Sequence, residues 1–362
     1  FETVLMQAWN GQLGLAQVIE TCGMLGQSGR APLAAVLYQT WLKRTSSPHA
    51  HLIQFNLGAA LTGLGDLIGA EQAYQEAIKL APGFIQPRLN LGMVLERLGR
   101  LDQAIEEWAW VASNVPAESA DNKPFLVLAL NSLGRVLETR KQYHDALSHL
   151  TRSLELDSTQ HDVIHHWVYL RQKQCCWPIY QAVGNVSRDF MEQSTSALAM
   201  IAITDDPATQ LAAARRYVAK KVLMDLPVLS AAGGYQHEKI RIGYCSSDFC
   251  LHPVAMLMVD LFECHDRDRF EIHGYDWSPE DGSDMRRRVI AAMDQFHRIH
   301  GMSDEDAARM IRSHEIDILF DLQGQTSGAR MNLLAWRPAP IQITYLGLPA
   351  TTGLDSIDYV IA

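Results

Sequence analysis

The chain has 362 residues and a formal net charge of −10, a length that predicts two or three domains at about 150 residues each. A hydrophobic content of 48% with 20% charged residues excludes a chain that is disordered throughout. The acidic balance argues against nucleic-acid or anionic-membrane partners, and the apolar runs fall short of the roughly 20 residues that a membrane-spanning helix needs.

A period of 34 residues runs through the first part of the chain. Small, large and proline positions all recur at this shift: Gly58 as Gly92, Ala70 as Ala104, Tyr74 as Trp108 and Pro82 as Pro116. A third unit repeats the pattern 42 residues further on, with Gly134, Ala146 and Leu150 in the equivalent places. The polar segment 117–124 accounts for the longer spacing and is predicted to be an inter-repeat loop.

The recurring residue types predict pairs of antiparallel helices. Glycine and alanine let two helices approach closely, large residues fill the space between neighbouring pairs, and proline ends the second helix. One such unit cannot bury its apolar face alone, so the units are expected to stack into an α-solenoid with a concave groove. The pattern resembles the tetratricopeptide repeat, with 17–42 as a degenerate earlier unit and 161–180 as a closing helix. A plain helical bundle with accidental spacing is the alternative.

The character of the chain changes after the repeats. Segment 194–226 is alanine-rich and predicted to be helical, and 230–234 has the composition of a short linker. Strand-like runs then alternate with helix-like stretches, with strands predicted at 240–245, 270–275, 316–322 and 340–346 and helices at 254–264, 285–295, 305–314 and 329–336. This alternation predicts a mostly parallel sheet with right-handed crossovers, whose ligands bind at the carboxyl ends of the strands.

Polar residues and glycines concentrate at three predicted strand exits, at 246–253, 321–328 and 347–353. In the first, Asp248 and His252 follow the strand, where a carboxylate and an imidazole can meet over a substrate. The histidine would accept or orient a hydroxyl proton, and the carboxylate would fix its tautomer. Spacing alone leaves open that Asp248 caps the following turn and that His252 only hydrogen-bonds the backbone.

The glycines of these exits allow two interpretations. Gly324, Gly328, Gly347 and Gly353 either let the backbone approach a sugar or a phosphate, or simply form tight turns. The two common phosphate-binding motifs, GxGxxG after the first strand and GxxxxGKS/T anywhere, do not occur in the sequence.

The cysteines and histidines form no recognised metal motif. Six cysteines occur without a CxxC pair, and the Cys, Asp and His residues between positions 245 and 265 lack a known ligand spacing. No metal site is therefore predicted. A chain of this length without a disulfide framework fits a reducing compartment, so a cytoplasmic location is expected.

An ordered series of motifs resembles the O-linked N-acetylglucosamine (O-GlcNAc) transferase family. The motifs lie at 239–249, 252–253, 328–330, 337–342, 346–349 and 358–359, after the tetratricopeptide-like repeats. The resemblance implies a two-lobed glycosyltransferase B fold, of which this chain would hold the Rossmann-like α/β N-terminal lobe after the α-solenoid. It also implies transfer of N-acetylglucosamine from UDP-GlcNAc to Ser or Thr hydroxyls of proteins, with inversion at the anomeric carbon and with no metal or other cofactor.

The resemblance assigns roles to five residues of this sequence. Asp248 and His252 are implied to be catalytic, at the sugar and acceptor end of the active site. Leu346, Gly347 and Pro349 are implied to bind substrate by lining the donor sugar.

The chain departs from the family pattern at several points. Leu251 stands where an asparagine is typical and Val254 where a threonine is typical, which removes two polar contacts. A histidine that animal members carry before the first catalytic strand has no counterpart in 194–202. The second lobe, with its uridine pocket and the lysine that stabilises the leaving diphosphate, is expected to lie outside these residues.

These observations predict a repeat solenoid over 1–190, a helical transition and linker over 191–234, and an incomplete N-terminal catalytic lobe over 235–362. The predicted function is that of a protein O-GlcNAc transferase fragment with little or no activity alone. It would bind protein acceptors along the repeat groove, and a sugar nucleotide. One alternative is a non-catalytic repeat scaffold for protein interactions. Another is a transferase of the same fold that uses a different sugar nucleotide, such as GDP-fucose, as some plant relatives do.

Overall fold

The repeat period corresponds to antiparallel helix pairs in the computed structural model, which describes residues 1–231 and 233–361. The chain divides into two compact units, Phe1–Met191 and Glu192–Ala362. The first unit contains the helices α1 (Glu2–Trp9), α2 (Leu15–Gln27), α3 (Ala31–Arg44), α4 (Ala50–Leu64), α5 (Leu67–Leu80), α6 (Ile85–Arg97), α7 (Leu101–Asn114), α8 (Lys123–Thr139), α9 (Tyr143–Leu156) and α10 (His161–Lys173). The short helix α11 (Arg188–Ser194) includes the boundary between the units. The predicted degenerate repeat at 17–42 corresponds to α2 and α3.

The recurring glycines lie where the two helices of a pair touch. Each packs against a large side chain of the next helix, in the sets Gly58 with Tyr74, Gly92 with Trp108, and Gly134 with Leu150. A β carbon at Gly58 would lie 2.6 Å from the Tyr74 ring, and the other two glycines are equally confined. All three large partners are almost fully buried. The alternation of small and large residues therefore builds the core of the α-solenoid, as predicted.

Most helices of the repeats end where the sequence predicts. Pro82 and Pro116 each come two residues after the second helix of a pair ends, and the predicted inter-repeat loop separates α7 from α8. The closing helix predicted over 161–180 is shorter than expected, because α10 ends at Lys173. Cys175 has a φ of 54°, outside the helical region, so the chain cannot continue the helix there.

The second unit alternates helices and strands. It contains α12 (Ala197–Ile201), α13 (Pro207–Lys221), β1 (Ile240–Ser246), α14 (Pro253–Cys264), β2 (Phe270–Asp276), α15 (Asp284–Ala291), β3 (Gln295–Arg298), α16 (Asp304–Ser313), β4 (Ile318–Asp321), α17 (Met331–Ala335), β5 (Ile341–Tyr345) and β6 (Tyr359–Ile361). The helical segment predicted over 194–226 therefore consists of two helices. Ala232 in the predicted linker and the terminal Ala362 lie outside the described residues.

Within the described part of the chain, six strands form one parallel sheet in the order β3-β2-β1-β4-β5-β6. Ile242 of β1 pairs with Ile272 of β2 on one side and with Ile318 of β4 on the other. The chain winds outward in opposite directions from the boundary between β1 and β4. Such a reversal opens a crevice at the carboxyl ends of these two strands. The predicted parallel sheet is confirmed.

The prediction of a helix over 285–295 is wrong at its end. Helix α15 stops at Ala291, and Gln295 begins the edge strand β3, where Phe296 pairs with Gly274. The four residues of β3 are exposed or half-exposed and form no apolar run, so their strand character depends on pairing with β2. The carboxylate of Asp294 supports that pairing by accepting a hydrogen bond from Ile272 N at 2.7 Å.

Helices cover both faces of the sheet. Tyr244 packs with Phe262 of α14 on one face, and Leu319 packs with Ile311 of α16 on the other. These two apolar cores hold the strand ends, and therefore the loops that leave them, in fixed positions. No helix among the described residues is both long and apolar enough to cross a membrane.

Candidate active site

The loop after β1 carries both predicted catalytic residues. Asp248 lies within this loop, and His252 directly precedes Pro253, the first residue of α14. His252 Nδ1 lies 3.6 Å from a carboxylate oxygen of Asp248. The imidazole is 43% exposed and the carboxylate side chain 17% exposed. The structure therefore brings these two side chains together at the carboxyl end of a central strand, with the imidazole open to solvent.

His252 is also the N-cap of α14, so it forms the backbone hydrogen bond that the alternative interpretation of this residue expects. Its Nδ1 accepts a hydrogen bond from Val254 N at 3.3 Å. The Val254 amide requires a lone pair on Nδ1, whereas the Asp248 carboxylate requires a proton on the same atom. When the proton is on Nδ1, the ring pairs with Asp248 and Nε2 becomes the acceptor. Capping and proton acceptance therefore use different tautomers of one imidazole.

The loop after β4 packs against the loop after β1. Gln323 Oε1 accepts hydrogen bonds from Ser247 N at 3.1 Å and from Ser247 Oγ at 2.8 Å. Gln323 Nε2 donates to Thr326 Oγ1 and to the Ser327 carbonyl of its own loop. Because Gln323 is 2% exposed, its amide is a fixed brace between the two strand exits. Ser247 Oγ also lies 3.2 Å from Asp248 Oδ1, which connects the brace to the candidate catalytic pair.

The exits of β4 and β5 meet at Gly347. A side chain at this position would overlap the backbone of Leu322 and Gln323, so a larger residue does not fit. Leu346 has a φ of 71°, and Gly347 N donates to the Tyr345 carbonyl at 2.9 Å in a three-residue turn. This strained turn determines where the following residues lie.

Leu346 and Pro349 line a cavity of about 730 Å³. Leu211 and Arg215 of α13 form part of its wall, together with side chains that follow β5. This volume lies within the range of small-molecule sites. Of the three residues predicted to bind the donor, two therefore line the cavity, while Gly347 shapes the loop that carries them.

Burial dominates the chemistry of Asp321 at the end of β4. The residue is 3% exposed, and its carboxylate accepts hydrogen bonds from Gln323 N at 3.1 Å and from Gly324 N at 2.9 Å. Burial raises the pKa of Asp321 to about 6, against these hydrogen bonds and one from Thr344. Asp321 therefore holds the β4 exit in shape through donors that, among the described residues, are all neutral.

The exit after β2, residues 277–283, is not among the predicted sites, yet it holds the β1 loop. Ser278 Oγ accepts a hydrogen bond from Phe249 N, and Asp281 Oδ2 accepts one from Leu251 N, each at 2.7 Å. The sequence feature that could have predicted this exit is a run of polar, proline and glycine residues directly after a strand. The same feature marks the other three exits.

Arg286 of α15 anchors the same arrangement and is 3% exposed. Its guanidinium donates to the Phe249 carbonyl at 2.8 Å, to Asp276 Oδ2 at 2.9 Å and to Glu280 Oε1 at 2.7 Å. Arg298 of β3 also pairs with Asp276. Burial alone would raise the pKa of Asp276, but the hydrogen bonds from these arginines and from the Ser278 backbone and side chain hold it below its ordinary value. Asp276 is therefore a buried anion that ties the β2 exit to the β1 loop.

Cys245 is buried in the core and His265 pairs with a tyrosine, so neither belongs to the candidate site. Cys245 is 1% exposed, and His265 Nε2 lies 2.8 Å from the hydroxyl of Tyr244. Among the described residues, the side chains close enough together to hold a metal ion are instead three histidines of β2, β3 and the end of α16.

Comparison with known proteins assigns both parts of the chain. Residues 219–362 match the model of glycosyl transferase family 41, and residues 25–83 and 85–159 match tetratricopeptide-repeat models. A probable UDP-N-acetylglucosamine–peptide N-acetylglucosaminyltransferase, SEC of Arabidopsis thaliana, is 33% identical over 208 residues, which are 52% of this chain and 21% of that protein. The UDP-N-acetylglucosamine–peptide N-acetylglucosaminyltransferase of Caenorhabditis elegans is 39% identical over 125 residues, 34% of this chain and 11% of that protein.

The chain spans only a minor part of these relatives, 21% of the first and 11% of the second. Among solved structures, a mutant of the Thermobaculum terrenum O-GlcNAc transferase is 22% identical with a TM-score of 0.47, over 87% of this chain and 54% of that one. The match to family 41 covers every predicted strand exit, and the repeat matches precede it. The chain therefore combines tetratricopeptide repeats with a following region of glycosyl transferase family 41.

Proposed function

We propose that this chain forms part of a protein O-GlcNAc transferase, which moves N-acetylglucosamine from UDP-GlcNAc to Ser or Thr hydroxyls of proteins. The observation that carries the proposal is the Asp248–His252 pair, 3.6 Å apart where the strand order reverses. The printed names of the relatives in Arabidopsis thaliana and Caenorhabditis elegans support the choice of donor and acceptor.

The reaction needs an acceptor for the proton of the attacking hydroxyl. As the hydroxyl oxygen bonds to the anomeric carbon, the bond from that carbon to UDP breaks, and UDP leaves with the bonding electron pair. In the tautomer with a proton on Nδ1, His252 Nε2 takes the hydroxyl proton, and the Asp248 carboxylate stabilises the resulting imidazolium. Attack from the face opposite UDP inverts the anomeric carbon. Cationic groups of the second lobe are proposed to stabilise the negative charge of the leaving diphosphate. The 362 residues alone are therefore proposed to have little activity.

Substrate binding is divided between the two units. Leu346 and Pro349 are proposed to contact the donor sugar from the wall of their cavity, with Gly347 holding the turn. The stacked helix pairs of the first unit are proposed to bind the acceptor protein in their groove. No metal ion or other cofactor takes part in the proposed transfer, and the compartment is proposed to be the cytoplasm.

Two substitutions of His252 separate its capping role from its chemical role. Asparagine is a good N-cap residue and preserves the hydrogen bond to Val254 N, but it cannot accept a proton. In the longest natural protein that contains this chain, His252→Asn should lower kcat for transfer to a peptide by about 100-fold or more while the thermal midpoint stays near that of wild type. His252→Ala should lower both. If His252→Asn turns over as fast as wild type, the imidazole is not the base.

A donor comparison tests the proposed substrate. Transfer of radiolabelled sugar to a protein acceptor should proceed with UDP-GlcNAc and not with GDP-fucose. Transfer from GDP-fucose alone would show a transferase of the same fold with another donor. No transfer from either donor, with retained peptide binding, would show a non-catalytic scaffold.

A further inference from the structure

Three histidines converge on the face of the sheet that α16 covers. His273 lies on β2, His297 on the adjacent β3, and His314 directly follows α16 as its C-cap. One ring nitrogen from each lies within 4.8 Å of those of the other two. His273 is buried, whereas His297 and His314 are half-buried, so the cluster, called here the histidine trio, has an opening to solvent.

The spacing of the histidine trio fits a four-coordinate ion. His273 Nδ1 and His297 Nε2 are 3.4 Å apart. Two nitrogens bound at about 2.0–2.1 Å to a tetrahedral Zn²⁺ ion stand about 3.4 Å from each other. The ring centroids of His297 and His314 are 4.3 Å apart, which places the third imidazole beside the same point.

Hydrogen bonds behind two of the rings determine which nitrogens face the centre. His273 Nε2 lies 3.1 Å from Glu271 Oε1, so Nε2 carries the proton and Nδ1 keeps its lone pair. In the tautomer in which His314 Nδ1 donates to the Tyr275 hydroxyl, 2.9 Å away, Nε2 of His314 keeps its lone pair for a ligand. A carboxylate behind an imidazole is the arrangement that usually orients a metal-binding histidine.

The guanidinium of Arg241 lies near the histidine trio but is paired with carboxylates. It lies 3.2 Å from Glu271 and 3.9 Å from Glu315. Glu271 is also the carboxylate that contacts His273 Nε2. These carboxylates offset the positive charge of Arg241 beside the trio.

We propose that His273, His297 and His314 bind one Zn²⁺ ion, with a water molecule as the fourth ligand. Neutral imidazoles suit Zn²⁺, whereas Mg²⁺ and Ca²⁺ prefer oxygen ligands. The ion joins β2, β3 and α16 and stabilises the second unit. The trio belongs to none of the strand-exit loops that carry Asp248 and Leu346, so the site is separate from the proposed transfer site.

A competition titration tests the site directly. The metal-free 362-residue chain is titrated with Zn²⁺ against a chromophoric chelator at neutral pH, as wild type, His297→Ala and His300→Ala. His300 is an exposed histidine close to His297 and outside the trio, so it is the matched control. Wild type and His300→Ala should bind one equivalent, and His297→Ala should bind about tenfold more weakly or worse. No binding by wild type, or equal affinity in all three proteins, overturns the proposal.

A second measurement depends on wild type alone. Co²⁺ in the same site should give the visible absorption of a four-coordinate ion, and added Zn²⁺ should displace it. Because an ion that binds only the folded state stabilises it, Zn²⁺ should also raise the thermal midpoint of wild type. A wild-type midpoint that does not respond to Zn²⁺, or a Co²⁺ spectrum equal to that of the free ion, contradicts the site.

Discussion

At the scale of single residues, two buried aspartates at strand exits respond to burial in opposite ways. Asp276 is paired with Arg286 and Arg298, and these charged donors keep its carboxylate ionised. Asp321 accepts hydrogen bonds only from neutral groups among the described residues, and burial raises its pKa to about 6. The difference follows from the neighbours, since both carboxyl groups are almost inaccessible to water.

The raised pKa of Asp321 predicts that the free energy of unfolding depends on pH. Because the folded-state pKa lies above the ordinary value, the native state keeps a proton that the unfolded state has lost between pH about 4 and about 6. The free energy of unfolding should therefore fall as pH rises through this window, by about 3 kcal/mol at most. Asp321→Asn removes the titration and keeps an acceptor. Urea unfolding of both proteins at several pH values should show wild type losing stability relative to Asp321→Asn as pH rises. A constant difference between them would contradict the assignment.

At the scale of secondary-structure elements, the recurring glycines allow the paired helices of the solenoid to pack closely. Trp108 is held from two sides, because its ring lies against Gly92 and its Nε1 donates to the Leu89 carbonyl at 3.2 Å. The indole therefore has no room to retreat from a larger residue at position 92. By contrast, Gly23 in the middle of α2 is exposed, and a β carbon added there would have no neighbour within 4 Å among the described residues.

These two helical glycines should respond oppositely to the same substitution. Gly92→Ala should lower the free energy of unfolding by about 1–3 kcal/mol, because the methyl group overlaps the indole. Gly23→Ala should raise it by about 0.5–1 kcal/mol, because alanine restricts the unfolded chain without a clash. Chemical denaturation of both variants beside wild type provides the measurement. If Gly92→Ala were as stable as Gly23→Ala, the close approach would not exist.

Elements with a strong local pattern could be predicted from the sequence, and those that depend on distant pairing could not. The helix pairs were predictable because Gly58 and Tyr74 recur at a fixed spacing, and the Asp248–His252 pair because the two residues are four apart in one loop. Strand β3 has no apolar run, so only its pairing with β2 reveals it. The histidine trio lies on three separate elements, and its members meet only once the strand order is known.

At the scale of the whole molecule, the chain contains two compact units with separate roles in the proposed function. The first unit, Phe1–Met191, repeats one small–large packing pattern, so its stability is expected to depend mainly on contacts between neighbouring helix pairs. The second unit, Glu192–Ala362, is held by a sheet with a core on each face and by the buried Arg286 network. Compact units with their own cores are expected to unfold separately.

Hydrogen exchange of one variant in each unit tests this independence. Gly92→Ala should speed amide exchange in the helices around α6 and α7 and leave β1, β2 and β4 protected. Arg286→Met should do the reverse, because it removes one of the two arginines that pair with the buried Asp276 carboxylate and also the hydrogen bond to the Phe249 carbonyl. Arg288→Met on the same helix is the control, because this arginine forms exposed ion pairs of small value. Faster exchange in both units with either variant would show that the chain unfolds as one cooperative structure, and a destabilised repeat would then also impair the transfer site.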